Sequence, residues 1–229
     1  MAGRGAIVDI DGTLVDTNYQ HTVAWGRAFA DNGIAIPLWR LHRHNGMGGD
    51  QLVSAVAGDD VERRLGDAIR ASEGGHYRAL IHEVRPLPGA SDLLDGLRRL
   101  GYGVVLASSA KQEDLDHYLD LLDARGLVDA WTSEEDVEQT KPEPDLVSAA
   151  VAKLAPITDF IMIGDATWDA IAAARVNVPT IGLLSGGFGE DELRAAGCRA
   201  VYADAADLVG NLEDALSTTR DASVMPVEL

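Results

Sequence analysis

Short apolar runs alternate with amphipathic stretches along most of the 229-residue chain. The runs are rich in aliphatic and β-branched side chains, which is typical of strands buried on both faces. Five of them predict strands, at residues 5–8, 103–107, 160–163, 179–183 and 199–202. Helical periodicity fills residues 90–100, 112–122, 144–154 and 169–176. This alternation predicts an α/β fold: a doubly wound, mostly parallel sheet with helices on both faces.

One long segment breaks the alternation. Only helical patterns occur between residues 17 and 84, over residues 19–32, 38–44, 50–56, 61–72 and 76–84. Residues 85–89 then include two prolines and a glycine, which cannot continue a helix. The segment is either a long helical connection or an inserted all-helical domain. We favour the insertion, with residues 1–16 and 88–229 as the α/β core and residues 17–87 as the helical domain. We expect little order after Ser217.

Composition excludes several classes of protein. The chain has 19 Lys plus Arg against 37 Asp plus Glu, a formal net charge of -18. Such a charge repels nucleic acids and anionic membranes, so we expect neither as a partner. Cys198 is the only cysteine, so no disulfide forms within the chain. No apolar run has the length of a signal-peptide core or a membrane span, and we therefore expect a soluble cytoplasmic protein.

Two acids follow the first predicted strand, where parallel sheets gather functional groups. Asp9 and Asp11 are two residues apart on an extended segment, so their side chains can project to the same side. Such a pair suits a divalent cation, or a nucleophile with an acid/base partner. A turn capped by aspartates gives the same pattern, so this motif alone leaves both interpretations open.

Polar residues also follow the second predicted strand and precede a later helix. Ser108, Ser109 and Lys111 open a helix, where hydroxyls and exposed N–H groups suit a phosphate. On the serines alone, an ordinary serine N-cap is the favoured interpretation. Lys141, one of only three lysines, comes directly before Pro142 and a helix. It is either an anion-binding lysine or a solvated surface amine.

A second pair of acids follows the buried run at residues 160–163. Asp165 comes two residues after this run, and Asp169 comes four residues after Asp165. Asp165 suits a cation, and Asp169 suits a supporting role in the same loop. A helix N-terminus enriched in acids is the alternative interpretation.

Taken in order, these segments resemble the haloacid dehalogenase superfamily of phosphotransferases, from Asp9 to at least Asp169. The Asp-x-Asp-Gly-Thr motif at residues 9–13 is the most specific of them. The resemblance implies a Rossmann-like core of that superfamily and identifies the helical segment with its small helical cap. Two departures occur: Ala166 stands where relatives often have Ser, and no second acid lies directly beside Asp165.

The resemblance also implies a role for each motif residue. Asp9 is the nucleophile that becomes an aspartyl phosphate, and Asp11 is the general acid/base. Ser108 holds a phosphoryl oxygen and Lys141 neutralises the transferring group. Mg²⁺ is the implied cofactor, held by Asp9, Asp165 and the backbone carbonyl of Asp11. Supporting roles are expected for Asp169, Gly12 and Thr13. An acid at position 11 argues against the dehalogenase branch.

The cap carries less explicit signals. The segment around His21 is similar to the first cap hinge and helix of phosphoglycolate phosphatases and of β-phosphoglucomutases. In the mutases, a histidine at this position helps to sense the substrate and couples cap closure to catalysis. A histidine that merely touches the hinge is the alternative. Glycines at 46, 48 and 49 resemble the cap loop that dips into the active site, and we expect Gly46, Gly48 and Gly49 to contact substrate. The mutases have an arginine where this chain has Gly49.

We therefore expect a magnesium-dependent phosphatase for a small phosphomonoester, phosphoglycolate-like or a sugar phosphate, acting as a monomer or homodimer. A sugar-phosphate mutase is the alternative, and a phospho-acceptor signalling module is a remote one that Asp11 disfavours. The predicted cap has 8 basic and 8 acidic residues, so the core has the whole excess of acid. A cluster before the cap loop is a candidate source of positive charge, or an exposed helix face: Arg40, His42, Arg43 and His44.

Overall fold

The computed structural model describes residues 3–221. Six strands form one parallel sheet in the order β3-β2-β1-β4-β5-β6. They are β1 (Arg4–Asp9), β2 (Tyr102–Ala107), β3 (Ala130–Trp131), β4 (Asp159–Gly164), β5 (Thr180–Leu183) and β6 (Cys198–Tyr202). The five predicted strands are all present. The sequence missed β3, because two half-buried residues leave no periodic signal.

Helices cover both faces of the sheet. They are α5 (Ala90–Arg99), α6 (Gln112–Leu121), α7 (Asp145–Lys153), α8 (Thr167–Arg175), α9 (Glu190–Ala196), α10 (Ala205–Gly210) and α11 (Leu212–Asp221). Successive residues of β1 point to opposite faces: Val8 packs in one core cluster with α5 and α6, and Ile7 in another with α7 and α8. The predicted doubly wound α/β architecture is confirmed.

Four helices lie between β1 and α5: α1 (Asn18–Asp31), α2 (Leu38–His42), α3 (Gly49–Ala57) and α4 (Asp59–Leu80). The all-helical character of this segment is confirmed. The prediction of separate helices at residues 61–72 and 76–84 is wrong, because α4 continues through Gly74 and Gly75. Adjacent glycines weaken a helix by about 1 kcal/mol each. Packing of α4 on both sides of them, including the fully buried Tyr77, outweighs this cost.

The helical segment has a core of its own. Trp25, Phe29 and Leu41 are buried against residues of α3 and α4, apart from the sheet. The two chain crossings to the sheet run side by side: Asp16 N–H donates to Arg85 O at 2.9 Å, and Leu87 N–H donates to Leu14 O at 2.9 Å. This pairing is what an inserted domain requires, and the boundaries at residues 17 and 87 stay a prediction. We call residues 17–87 the cap.

Helix α11 reaches Asp221, so the expectation of little order after Ser217 is wrong for residues 218–221. Its apolar side, including Leu216, is buried in the sheet's core cluster. The remainder of that expectation concerns residues 222–229, which lie outside the described residues. Across residues 3–221, no helix combines the length and apolarity needed to cross a membrane.

Candidate active site

Four ionisable side chains meet at the carboxyl ends of β1 and β4. Asp9 is the last residue of β1, Asp165 directly follows β4, and Asp169 lies in the first turn of α8. Lys141 reaches them from the loop before α7: its Nζ contacts Asp9 Oδ1 and lies 2.6 Å from Asp169 Oδ1. All four residues are at most 5% exposed. The fold thus brings Asp9 together with three predicted site residues that lie more than a hundred positions later in the sequence.

Electrostatics at this cluster follow from burial and crowding. Burial raises the pKa of Asp9 well above its usual range; Lys141 opposes this rise and the neighbouring acids reinforce it. Burial, with the nearby Asp169, raises the pKa of Asp165 to about 7. Burial alone would lower the pKa of Lys141, but Asp169 and Asp9 together raise it, so the ammonium stays charged. One ammonium therefore faces three buried carboxyl groups.

The residues present fit a hard divalent cation. Carboxylate oxygens of Asp9, Asp165 and Asp169 all lie within 4.8 Å of one another. Carboxylates are the ligands that Mg²⁺ prefers, and such an ion would offset the negative charge that Lys141 leaves uncompensated. Asp169 is also tied to the loop before α8, because its second oxygen accepts the Ala166 N–H at 3.0 Å. The sequence resemblance implies Asp9 and Asp165 as the side-chain ligands, and both belong to this group of three.

Two supporting contacts orient Asp165. Thr13 Oγ1 donates to its Oδ1 at 2.9 Å, and Asn18 Nδ2 donates to its Oδ2 at 3.1 Å. Gly12, at φ +82°, lets the chain turn against this carboxylate: a Cβ there would lie 2.2 Å from Asp165 Oδ2. The predicted supporting residues Gly12 and Thr13 are thus in contact with Asp165. Asn18, which the sequence did not single out, belongs with them.

Asp11 faces away from the carboxyl cluster, towards the cap. Its Oδ1 accepts the Thr17 hydroxyl at 2.8 Å and lies 3.6 Å from His21 Nε2. The other ring nitrogen of His21 lies 3.0 Å from Glu73 Oε1, and the ring stacks on Tyr77 with centroids 3.8 Å apart. Burial alone would lower the pKa of His21, but hydrogen bonds to Asp11 and Glu73 raise it to about 10. The imidazole is therefore positively charged beside Asp11.

This charge keeps Asp11 ionised. Burial alone would raise its pKa, but the hydrogen bond and charge of His21, with the Thr17 hydroxyl, lower it. His21 thus does more than touch the hinge, since it joins Asp11 of the core to Glu73 on α4. Sequence reasoning missed Glu73, because one acid in an amphipathic helix has no distinguishing signal.

Ser108 lies directly after β2, buried at 2% exposure. Its Oγ accepts the Ala110 N–H at 3.0 Å, which leaves the hydroxyl hydrogen able to donate to a ligand. Thr132 fixes its backbone from the neighbouring strand: the Thr132 hydroxyl accepts the Ser108 N–H at 3.1 Å and donates to the Ser108 carbonyl at 3.0 Å. The loop is therefore rigid where a phosphate would bind. Thr132 was not predicted, because β3 was not.

A cavity of about 460 Å³ lies between the cap and the carboxyl ends of the strands. Core and cap residues both line it, and they include nearly all the predicted ligand-contacting positions: Asp9, Asp11, His21, Gly46, Gly48, Gly49, Ser108, Ser109, Lys111 and Lys141. Most of the apolar part of the wall comes from the cap, including Trp25, Met47 and Leu52, and the core adds Ala110 and Tyr118. The predicted cap loop therefore does reach the site, and the carboxyl cluster opens into the cavity at Asp9.

The basic cluster before the cap loop contacts the core elsewhere. Arg43 pairs with the exposed Glu192 and lies over the ring of Phe188, 4.7 Å from its centroid. His42 Nε2 lies 3.0 Å from the Gly186 carbonyl, and His44 stacks near Trp168. None of the four, Arg40 included, lines the cavity. Arg43, His42 and His44 thus lie in the seam between cap and core, and Arg40 is exposed.

Comparison with known proteins agrees with this geometry. A family model described as haloacid dehalogenase-like hydrolase matches residues 4–177. The chain belongs to this family. Its predicted fold and its assignment as a hydrolase of this superfamily are confirmed.

Individual relatives cover most of the chain. A validoxylamine A 7'-phosphate phosphatase from Streptomyces hygroscopicus subsp. limoneus is 25% identical over 193 residues, 79% of this chain and 85% of that protein. A phosphoglycolate phosphatase from Caulobacter vibrioides is 27% identical over 205 residues, 87% of this chain and 86% of that protein. The solved structure of a hydrolase from Pseudomonas syringae is 34% identical, with a TM-score of 0.85 over 92% of this chain and 98% of that one.

Proposed function

We propose that this haloacid dehalogenase-like hydrolase is a magnesium-dependent phosphatase that acts on a small organic phosphomonoester through an aspartyl phosphate. The observation that supports it best is the buried arrangement of Asp9, Lys141, Asp165 and Asp169 beneath a cavity that also exposes Asp11 and Ser108. This set contains a nucleophile, an acid/base, a hydroxyl that can donate a hydrogen bond to the phosphate, and a cation site. The phosphatase names of two curated relatives point to the same reaction.

In the first step, a carboxylate oxygen of Asp9 attacks the phosphorus of the ester. The new bond joins Asp9 to the phosphoryl group, and the bond from phosphorus to the ester oxygen breaks. Asp11, whose carboxyl takes up a proton when the dianionic ester binds beside it, gives that proton to the leaving oxygen. Lys141 and the Ser108 hydroxyl stabilise the charge on the phosphoryl oxygens. Mg²⁺ held by Asp9, Asp165 and the Asp11 carbonyl would screen the repulsion between the carboxylate and the phosphate dianion.

In the second step, Asp11 returns as a base. It takes a proton from water, the water oxygen bonds to phosphorus, and the bond to Asp9 breaks to release inorganic phosphate. The position of Asp11, at the cavity rather than inside the carboxyl cluster, suits it to both transfers. His21 and Thr17 hold it there between the two steps.

The cavity supports a substrate of metabolite size, because about 460 Å³ admits a small phosphorylated acid or a sugar phosphate. A mutase is less well supported. Gly49 contacts Arg70, but that guanidinium is already bonded to Glu62 and Asp67, at 2.9 and 2.8 Å. Arg70, the arginine that contacts Gly49, is therefore not free to grip a second phosphate in the manner expected of a sugar-phosphate mutase.

A panel of phosphate esters tests the proposal directly. With Mg²⁺ we expect release of inorganic phosphate from at least one small ester, and loss of that release in EDTA. Asp9→Asn should abolish turnover, while Asp92→Asn, at an exposed acid outside the cavity, should not change it. Turnover of aryl phosphates by Asp9→Asn at the wild-type rate would overturn the mechanism. Conversion of a hexose 1-phosphate to the 6-phosphate without free phosphate would indicate a mutase.

A further inference from the structure

A cap carboxylate contacts the core segment that carries Lys141. Asp50 is the second residue of α3, at the end of the cap loop. Its Oδ2 accepts the Thr140 N–H at 3.1 Å, and its Oδ1 accepts the Thr140 hydroxyl. Gln51 Nε2 also donates to Asp50 Oδ2, at 3.0 Å, and so restrains the carboxylate. The Asp50 carboxylate of the cap thus accepts hydrogen bonds from both the N–H and the hydroxyl of Thr140 in the core.

The cap loop encloses Thr140 from a second direction. A Cβ at Gly48 would lie 2.0 Å from Thr140 Oγ1, so the backbone of the loop rests directly on this side chain. Only a glycine permits that approach. The contact is therefore specific to a closed cap, because withdrawal of the loop would remove both the backbone packing and the Asp50 hydrogen bonds.

Thr140 is directly bonded to Lys141, the only ammonium in the carboxyl cluster described here. Lys141 contacts Asp9 of β1 and Asp169 of α8 from a separate loop. The direction of its side chain therefore depends on how that loop is held. On the core side the loop is fixed further along, where Glu143 pairs with Arg175 at 2.6 Å. Immediately before the lysine, core contacts hold the backbone, since the Gln139 N–H donates to Asp145 Oδ2 at 3.2 Å and the Glu143 N–H donates to Thr140 O at 3.0 Å. The side chain and the N–H of Thr140 are held by the cap.

We propose that Asp50 is a positioning residue, which aligns Lys141 on Asp9 through Thr140 when the cap is closed. This inference rests on the phosphatase function proposed above. It assigns to the cap a part in the chemical step, besides its part in lining the cavity. Water exclusion and lysine alignment would then occur in one movement.

Other cap–core contacts provide matched controls. Arg43 pairs with Glu192 across the same seam, but this pair touches neither Thr140 nor the cavity. Glu192→Gln therefore removes a cap–core tie without disturbing the lysine loop. If Asp50 only held the cap shut, Asp50→Asn and Glu192→Gln would have similar effects, mainly on KM.

The experiment compares steady-state turnover of an aryl phosphate by Asp50→Asn, Thr140→Val, Thr140→Ser and Glu192→Gln, with melting temperature as the check on folding. We expect Asp50→Asn to lower kcat by about tenfold to a hundredfold, the effect of misplacing a catalytic group by about 1 Å, with little change in KM. Thr140→Val should act in the same direction, and Thr140→Ser should keep the wild-type kcat. Glu192→Gln should also keep it.

The Lys141→Ala background makes the test specific. If Asp50 acts through the lysine, adding Asp50→Asn to Lys141→Ala should lower the residual kcat no further. A full additional loss in that background, or a change in KM alone, would overturn the inference. Absence of phosphate release by the wild type would instead overturn the proposed function, so the two failures are distinguishable.

Discussion

A single missing carbon at Gly12 determines how closely the motif loop approaches Asp165. At this position a Cβ would lie 2.2 Å from both Asn18 Nδ2 and Asp165 Oδ2. Gly33 has a similar φ of +75°, but a Cβ there would meet nothing within 4 Å. A substitution at Gly33 would therefore introduce backbone strain alone. A substitution at Gly12 would introduce the same strain and would also displace the carboxylate.

We predict that Gly12→Ala destabilises the fold more than Gly33→Ala and also weakens Mg²⁺ binding. Left-handed strain alone costs about 1–2 kcal/mol, and the added clash costs roughly another 1–3 kcal/mol. Urea unfolding measures the first effect, and titration of Mg²⁺ against the folded variant measures the second. Equal unfolding free energies for Gly12→Ala and Gly33→Ala, with unchanged Mg²⁺ affinity, would contradict this prediction. Such a result would show that the loop moves to accommodate the added methyl group without loss of stability.

Cys198 allows a pH prediction away from the active site. Burial, reinforced by Asp169, raises the pKa of its thiol from an ordinary value of 9.0 to about 12. Above pH 9 the unfolded chain therefore loses this proton before the folded chain does, and stability falls as pH rises towards 12. The slope has an upper bound of about 1.4 kcal/mol per pH unit.

From pH 9 upwards, we expect the unfolding free energy of the wild type to fall relative to that of Cys198→Ala. The variant serves as the reference because Tyr77 and Tyr118, whose pKa values burial also raises, contribute equally to both proteins. Iodoacetamide at pH 8.5 should modify the urea-unfolded chain far faster than the native one. Equally fast modification of the native protein would contradict the burial argument.

At this scale the sequence pointed to most of the candidate site and to only part of what supports it. Asp9, Asp11, Ser108, Lys141 and Asp165 stand at strand ends or before a helix, in an order that has a recognisable pattern. Their partners do not: Asn18, Asp50, Glu73 and Thr132 are polar residues in ordinary surroundings. Only the tertiary contact gives them a function, and sequence spacing does not encode such contacts.

At the scale of elements, apolar periodicity predicted strands and helices where burial is regular. It failed for β3, which is too short, and for α4. Two adjacent glycines in α4 predict a break between two helices, but the helix is continuous in the structure. Both failures have the same cause, since packing partners distant in sequence determine the outcome. The helical insertion was recognisable because five consecutive segments had a period near 3.6 and none had a period of 2.

The cap cluster around Phe29 tests whether residues 17–87 are a separate unit. Phe29 is fully buried in it, and Phe160 is similarly buried against the sheet. Each Phe→Ala change should cost about 3–5 kcal/mol. We predict that Phe29→Ala accelerates amide hydrogen exchange throughout the cap and leaves β1, β2 and β4 protected, whereas Phe160→Ala should accelerate exchange in the sheet. Faster exchange of both regions in both variants would mean that the chain unfolds as one unit.

At the scale of the whole molecule, charge is divided between the two parts. The cap segment is formally neutral and the rest of the chain has the whole net charge of -18. An acidic core favours a divalent cation but repels an anionic substrate. The basic cluster of Arg40 and Arg43 does not resolve this conflict, because neither residue lines the cavity. Cations that do line it have to draw the substrate in.

Two such cations line the cavity from different segments of the chain. Arg78 lies on α4 and Lys111 precedes α6, and within residues 3–221 neither forms an ion pair. A Cβ at Gly74 would lie 3.6 Å from Lys111 Nζ, so the lysine reaches α4 one turn before Arg78. Both are therefore available to a second anionic group of a substrate, such as a carboxylate, while the phosphate occupies the carboxyl cluster end.

We predict that Arg78→Gln and Lys111→Gln raise KM for 2-phosphoglycolate by roughly tenfold, the loss expected for a charge-assisted hydrogen bond of about 1.5–3 kcal/mol. KM for phenyl phosphate, which has no second anionic group, should stay within about twofold. Arg40→Gln, an exposed cap arginine outside the cavity, should change neither value. Added salt should raise the wild-type KM for 2-phosphoglycolate more than that of the double variant, because screening acts on the same pair of charges. An equal rise in KM for both esters would contradict this prediction and would indicate that these two cations contact the phosphate itself. In that case the substrate preference would have to come from the apolar wall of the cap.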